Sequence, residues 1–436
     1  MKLPQFHQTF TRSAIHIRKS PIVNRKSNGG SVLVIVLMIS LGLISMALYF
    51  ANSMTLELRA ADNRASGMAS DQAIEGAARY VSSVLSSYAT NGTMPDLSEY
   101  SAEAVAVGSA MKPEENPHFW LIGRDLSGTI VTEPHFALVD EASKLDLNAP
   151  WLNADVLSTN VVGMTAELAE AIVDWRSTND TSSSSLNYSQ LGYLPKHSAF
   201  ESVGEMRLLY GATADILAGE DINRNGVLDS NEQDSNGNGE ADTGLMECFT
   251  VFSRELNTYS DGSSLTNVNN RTNLYDLLSV RINSSRATAI TNQLFRVSGG
   301  GPAPAQATSY TNLLQFYLGS GMTADEFASV YPDLTATTNA FTVGRVNVNT
   351  ASATVLSCLP GMDATTAQQL VSYRENNSID YRSFAWVVDA LGSSSPALQA
   401  LARGDYITAK SFQFAADVAA VGPFGRGYRR VRFVFD

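Results

Sequence analysis

"NGGSVLVIVLMISLGLISMALYFANS", residues 28 to 53, places a long uncharged apolar run directly after a Gly-Gly step. From Val32 to Ala51 there is no charge, and twenty residues rising 1.5 Å each match a bilayer core of about 30 Å. Ahead of the run, Lys2, Arg12, Arg18, Lys19, Arg25 and Lys26 stand without a single acid. Such a run is either a membrane helix or a signal. A cleaved signal has an apolar core of about 7 to 15 residues, which is shorter, although Ala51-Asn52-Ser53 imitates its cleavage site. A plain single-span anchor would keep the basic leader in the cytoplasm. In a third reading the helix does not stop at the membrane. No proline occurs between Ser31 and Thr93, and Ile74, Ala78, Val81, Leu85 and Tyr88 recur at three- and four-residue spacing. One helix of roughly sixty residues, about 90 Å long, would then run until Asn91-Gly92 ends it.

Beyond the leader the chain is acidic. The net charge is −13 over 436 residues, and without the six basic leader groups the remainder stands at −19. A body of that charge is expected to repel nucleic acid phosphates and to attract cations. Cys248 and Cys358 lack metal-cluster spacing, so either one bridge or two thiols is compatible with them.

Comparison of the chain with itself reveals a duplicated plan over 145–206 and 346–391. "LDLNAP" from Leu145 and "VNVNTA" from Val346 alternate as short strands and end in Asn. "GMTAELAEAIVDWR" from Gly163 then matches "GMDATTAQQLVSYR" from Gly361, with apolar residues at helical spacing after each Gly-Met turn. Phe200 and Val203 later correspond to Phe384 and Val387. Each copy is expected to be a helical hairpin followed by another short helix, similar to helix-hairpin-helix or SAM-like units. DNA-binding hairpins usually carry Gly-x-Gly at the turn, so that backbone N–H groups can approach a phosphate. Here Thr165 and Asp363 occupy the second glycine position. An acid there, on an acidic body, predicts a packing module with no nucleic acid partner.

"DINRNGVLDSNE", residues 221 to 232, has the spacing of a twelve-residue calcium loop. Asp221, Asn223 and Asn225 take positions 1, 3 and 5, and Gly226 makes the turn. Val227 offers a carbonyl at 7, Asp229 stands at 9, and Glu232 can bind bidentately at 12. Asp234, Asn236, Asn238 and Asp242 repeat the first part, but Leu245 stands where the closing acid belongs, so a second site is incomplete or borrows a ligand. Only Gln233 separates the loops, which leaves no room for an EF-hand's exiting helix. Stacked loops holding structural calcium are expected.

Catalytic patterns are not evident. His118, His135 and His197 are not spaced as metal ligands, and no nucleophile elbow, phosphate loop or dinucleotide fingerprint occurs. Asp140 and Glu141 are neighbours, and as adjacent strand residues they would face opposite ways. The chain is not expected to be an enzyme.

The basic leader, Gly30 before the apolar run and the extended helix resemble a type IV prepilin or type II secretion pseudopilin. That resemblance implies cleavage by a prepilin peptidase between Gly30 and Ser31, with methylation of the new amine. Most members carry a glutamate at the fifth mature position, whose carboxylate meets a neighbouring subunit's terminal ammonium; this chain has Ile35 there, and its first mature acid is Glu57. Because an unpaired buried ammonium is costly, such a subunit suits the filament tip. With "FALVDEASKLDLNAP" (136–150), "AELAEAIVDWR" (166–176), "FESVGEMRLLYG" (200–211) and "RVNVNTASATVLSCLPGM" (345–362), the chain resembles the general secretion pathway protein K family, the largest minor pseudopilins of type II secretion.

The family resemblance implies an α+β fold in which a pilin-like antiparallel sheet on the long helix is interrupted by a large, mostly helical insertion, where members hold calcium. The expected organisation is a leader (1–30), a long helix (31–91, transmembrane over 31–51), a sheet (92–150 with 406–436), the first hairpin repeat and calcium loop (151–260), a connecting region (261–345) and the second repeat (346–405). Strands are expected at His118 to Ile122, Thr129 to Val131 and Phe136 to Val139, with a closing hairpin of Ser411 to Val421 and Tyr428 to Phe435. The implied place is the inner membrane with the body in the periplasm. The implied partners are other minor pseudopilins, met through the N-terminal helix, and the secretion machinery with its cargo. A membrane-anchored DNA-uptake protein and a calcium-dependent surface protein are the alternatives.

Overall fold

The computed structural model describes residues 30–88, 102–123, 137–178, 186, 188–295 and 309–436, divided into two compact units at Asp62/Asn63. The expected helix stop at Asn91-Gly92 and the strand at 129–131 lie outside the described residues. Helix α1 spans Gly30–Tyr88, 59 residues without a break. Its side chains from Val32 to Ala65 are exposed apart from the half-buried Ser53, and among the described residues it is the one helix long and apolar enough to cross a membrane.

From Ser66 onward α1 changes character. Ser66, Ser70, Ala73, Ile74, Ala77 and Val81 are buried, at the three- and four-residue spacing of a single helical face. Ile74 and Val81 are among the positions picked out by periodicity, whereas Ala78, Leu85 and Tyr88 are only half-buried. The reason lies in what the face meets.

After α1 come the short β1 (Val105–Ala106), β2 (His118–Ile122) and β3 (Val139–Asp140). Three strand–helix–strand units follow. The first opens with β4 (Leu145–Asp146), continues through α2 (Ala154–Asn160), α3 (Ala166–Arg176), α4 (Ala214–Ala218) and α5 (Leu245–Cys248), and closes on β5 (Phe249–Thr250). After β6 (Arg254–Leu256), the second runs from β7 (Thr266–Asn267) through α6 (Arg271–Arg281), α7 (Ser284–Leu294), α8 (Leu313–Ser320) and α9 (Ala324–Val330) to β8 (Leu334–Thr335). After β9 (Phe341–Val343), which pairs antiparallel with β6, the third runs from β10 (Val346–Asn347) through α10 (Ala353–Ser357), α11 (Ala364–Asn376), α12 (Trp386–Leu391) and α13 (Pro396–Leu401) to β11 (Ile407–Thr408). Strands β12 (Phe414–Gly422) and β13 (Arg426–Phe435) finish the chain.

The main sheet is antiparallel with order β1-β2-β12-β13, and β3 also pairs with β12. Register is set by Val418 opposite Val431 on one side and Leu121 on the other. Phe119, Leu121, Leu138, Ala416, Val418 and Ala420 form one buried cluster with Ala73, Ile74, Ala77 and Val81 of α1. Each fully buried large side chain contributes about 1.5–3 kcal/mol. Close approach rather than bulk decides the upper contact: a Cβ on Gly422 would lie 2.4 Å from the Ser66 carbonyl oxygen, and one on Gly427 would lie 2.6 Å from the same carbonyl group. Small residues on both elements let the backbones touch.

The three units share one design, and the second of them corrects the expectation of a mere connection over 261–345. In each, the opening strand pairs in parallel with the closing strand: Leu145 with Phe249, Thr266 with Leu334, Val346 with Ile407. The next residue's N–H then reaches across, Leu147 to Thr250 O, Val268 to Thr335 O and Val348 to Thr408 O, at 2.9–3.1 Å. Asp146, Asn267 and Asn347 each accept from the N–H two residues on. Asn148, Asn269 and Asn349 then tie the strand to a later segment through the carbonyls of Phe200, Tyr310 and Tyr381. A helical second core, separate from the sheet's cluster, runs through all three units, from Leu145 to Ala409.

Of the strand predicted at 136–139, Phe136 lies outside the described residues; the strand is Val139–Asp140, ended where Glu141–Ser143 turns into a 3-10 helix capped by the Asp140 carboxylate. The closing hairpin begins at Phe414 rather than at Ser411, whose hydroxyl is engaged by Asp140.

Candidate functional site

Gly30 and Ser31 are the first two residues of α1, and the leader ahead of them lies outside the described residues. Ile35 is 54% exposed on the apolar part of the helix. The remaining predicted site residues cluster on one double loop between α4 and α5.

The base of that loop is closed by an antiparallel bridge of Gly219 with Thr243. In the first turn Asp221 is fully buried and accepts from the N–H groups of Asn225 (3.0 Å) and Gly226 (2.7 Å). Gly226, at φ +81°, supplies the left-handed turn for which position 6 of such a loop calls. Glu232 closes the ring by accepting from the N–H groups of Asn223 (3.2 Å) and Asp229 (3.0 Å). Within this ring of bonds Asn223 and Asn225 both donate to the Asp229 carboxylate.

The second loop has the same geometry. Asp234 accepts from Gly237 (2.6 Å) and Gly239 (2.9 Å), and these backbone donors, Gly239 foremost, hold its carboxyl below the usual range. Asn236 and Asn238 donate to Asp242. Leu245, at the twelfth position, is buried in α5 and turned to the core. In its place stands Glu220, whose carboxylate accepts from Ser235 N–H (2.6 Å) and Asp242 N–H (3.4 Å), much as Glu232 does for the first loop. No spacing rule marks Glu220, because it enters from ahead of both loops.

The donor set is carboxylate, amide and carbonyl oxygen, which fits a hard cation of calcium type. Among the described residues no three His, Cys, Asp or Glu side chains gather closely enough to hold a metal by themselves. Asn223 and Asn225 point their nitrogens at Asp229, which satisfies the donors without a cation. Holding an ion requires both amides to rotate and present oxygen, Asn225 giving up its bond from Val227 N–H.

The double loop is fastened to the sheet. Arg430 of β13 donates to the carbonyls of Asn223 and Arg224 while pairing with Asp417 at 2.7 Å. Arg224, at φ +58°, reaches Glu247 and the Met246 sulfur. Asp140 and Glu141 form no common site. Asp140 accepts from Asn347, Thr350 and Ser411, with its carboxyl pushed up by burial. Glu141 meets Lys144 (2.9 Å) and Arg432 (3.0 Å), which outweigh its burial and hold it below the usual range.

In the first and third units the helix after the Gly-Met turn is capped by Thr165 or Asp363, the residues that stand at the second glycine position, and not by the Asn that ends the opening strand. Thr165 accepts from Leu168 N–H, and Asp363 accepts from Thr366 N–H, which lowers the Asp363 carboxyl. The shared arginine has an internal task. Arg176 donates to the carbonyls of Leu147, Ala149 and Leu152, and Arg374 to those of Val348 and Ala351, so each staples the hairpin to its opening strand. The turns differ in surroundings: Gly163 faces open space, whereas a Cβ on Gly361 would fall 2.3 Å from that of Ala400 in α13.

The fold and site define a mixed helix-and-sheet protein with one membrane-length N-terminal helix and helical hairpin units. Residues 342–385 match the helix-hairpin-helix motif family, a span that contains α10 and α11. No curated protein matches the chain. Since this motif is typically one of nucleic-acid binding, the exclusion of nucleic acid as a partner, drawn from the charge and from Asp363, is overturned. Net charge averages over a whole body, and a hairpin binds through local backbone groups.

Proposed function

We propose that the protein is a minor pseudopilin at the tip of a type II secretion pseudopilus, initiating or capping filament assembly for protein export. The observation that carries this reading is the unbroken helix from Gly30 to Tyr88, exposed and apolar in its first part and seated on an antiparallel sheet in its second. Cleavage between Gly30 and Ser31 would free an amine at the start of that helix. Ile35, with no carboxylate to offer it, suits a subunit with none ahead of it. The helical units between β3 and β12 are bulky enough to obstruct further stacking. In this reading α1 lies in the inner membrane before assembly and the body lies in the periplasm, where calcium bound at the double loop would gather otherwise repelling acids. The ion would supply charge neutralisation; Asp221, Asn223, Asn225, Val227, Asp229 and Glu232 would hold it in the first loop.

The test is the amino-terminal mass of protein recovered from membranes of a host with an active prepilin peptidase. A chain beginning at a methylated Ser31 is expected. A retained leader, or a start near Met54, sinks the proposal and with it the role given to Ile35.

The motif match over 342–385 favours a second reading, membrane-anchored DNA uptake through the hairpins. Retention of labelled duplex DNA that falls steeply with salt would carry it. Equal passage of DNA through immobilised protein and a blank matrix at low salt would end it.

A further inference from the structure

Beneath the last turns of α1 the body holds a cleft of about 370 Å³, a size typical of small-ligand sites. Its walls are mainly apolar, with Leu85, Leu256, Leu265, Phe412 and Phe435 among them. One cation lines it. Lys410 is only 7% exposed; its Nζ donates to the Pro332 carbonyl at 2.9 Å and lies 5.1 Å from the centre of the Tyr331 ring.

An ammonium group carries three protons, and a buried one is strongly disfavoured unless acceptors meet them. Two other buried cations of the body meet carboxylates: Lys144 pairs with Glu141, and Arg345 pairs with Glu255 and Asp405. Lys410 forms no ion pair within 4.0 Å among the described residues. The two acids that line the same cleft are already engaged. Asp333 accepts from Tyr259 and Arg281, and Asp436 accepts from Gln413 and Arg254. Burial accordingly pushes Lys410 down to about 8, against the pull of Glu255. A cation with spare donors on the wall of an apolar cleft is complementary to a molecule with an anionic oxygen head and an apolar body.

We propose that this cleft binds a small amphipathic carboxylate whose head pairs with Lys410 Nζ and whose alkyl or aryl body lies against Leu85, Leu256 and Phe435. The site is independent of the double loop and of the hairpins, and the inference stands or falls apart from the pseudopilin reading.

The test uses the full chain in lipid nanodiscs, titrated with carboxyl-labelled octanoate and with 3-phenylpropanoate, and followed by the ligand's carbon resonance. Saturable binding is expected, weakened at least tenfold in Lys410→Met and in Ser82→Trp, which fills the cleft from the exposed face of α1. Octan-1-ol should bind at least tenfold more weakly than octanoate, and octanoate should weaken as pH rises through about 8. Preference for octanoate or for the aryl acid identifies a lipid-derived or an aromatic source. Failure to saturate, uptake equal to that of empty nanodiscs, or binding unchanged in a folded Ser82→Trp protein overturns the proposal.

Discussion

Asp146 stands where the other two units have Asn267 and Asn347, and its Oδ2 is buried without a hydrogen-bond partner. Burial pushes its carboxyl up to about 6, more than the N–H groups of Asn148 and Ser253 and the nearby Arg176 pull it down. The folded value therefore exceeds the unfolded one. Ionisation costs stability, a cost that is absent below about pH 4, grows as pH rises toward 6 and is complete above it. With about 1.4 kcal/mol per pKa unit, Asp146→Asn is expected to stabilise the protein by about 1–3 kcal/mol at pH 7 and by almost nothing at pH 4. Denaturant titrations at both pH values check this; equal gains, or a loss at pH 7, contradict it. The sequence comparison aligned Asp146 with Asn347 and read both as part of a strand ending in a cap. That one of them is a buried carboxyl with one unmet oxygen depends on the packing around it, and so was not legible.

At the scale of elements, the turn of the loop at 221–232 was the most legible feature, because its twelve-residue spacing is local. Its twin was only half legible. Glu220 lies directly before Asp221 in the chain yet is placed in the ring of the second loop by the Gly219–Thr243 bridge. Glu220→Gln is expected to remove one of two calcium-binding events and to leave the other within about threefold, whereas Glu232→Gln should do the converse. Isothermal titration of the full chain in nanodiscs distinguishes them, and a wild-type chain with a single event argues against Glu220. A chelator should lower the thermal midpoint of the body by about 5 °C or more, since a ligand at a hundredfold its Kd adds about 2.7 kcal/mol. The middle unit went unread for a related reason. Its hairpin turn, Val280-Arg281-Ile282-Asn283, lacks the Gly-Met of the other two, and what it keeps is a set of strand hydrogen bonds that sequence comparison does not see.

For the whole molecule, the amino-terminal half of α1 and the acid missing at Ile35 make one prediction. In a host assembling pseudopili, Ile35→Glu is expected to raise the number of copies per filament several-fold, counted by quantitative immunoblot of sheared filaments. An unchanged stoichiometry would contradict the role proposed for Ile35. What the sequence determined by itself is what short range controls: the membrane-length helix, the two Gly-Met hairpins, and the calcium-type spacing. These rest on periodicity and chelate geometry within a dozen residues or so. Only the tertiary structure decided the middle unit, the place of Glu220, the internal task of Arg176 and Arg374, and the buried Lys410 beside an apolar cleft. Each of these depends on strand pairing or packing between residues well apart in the chain, and such contacts leave no spacing to be read.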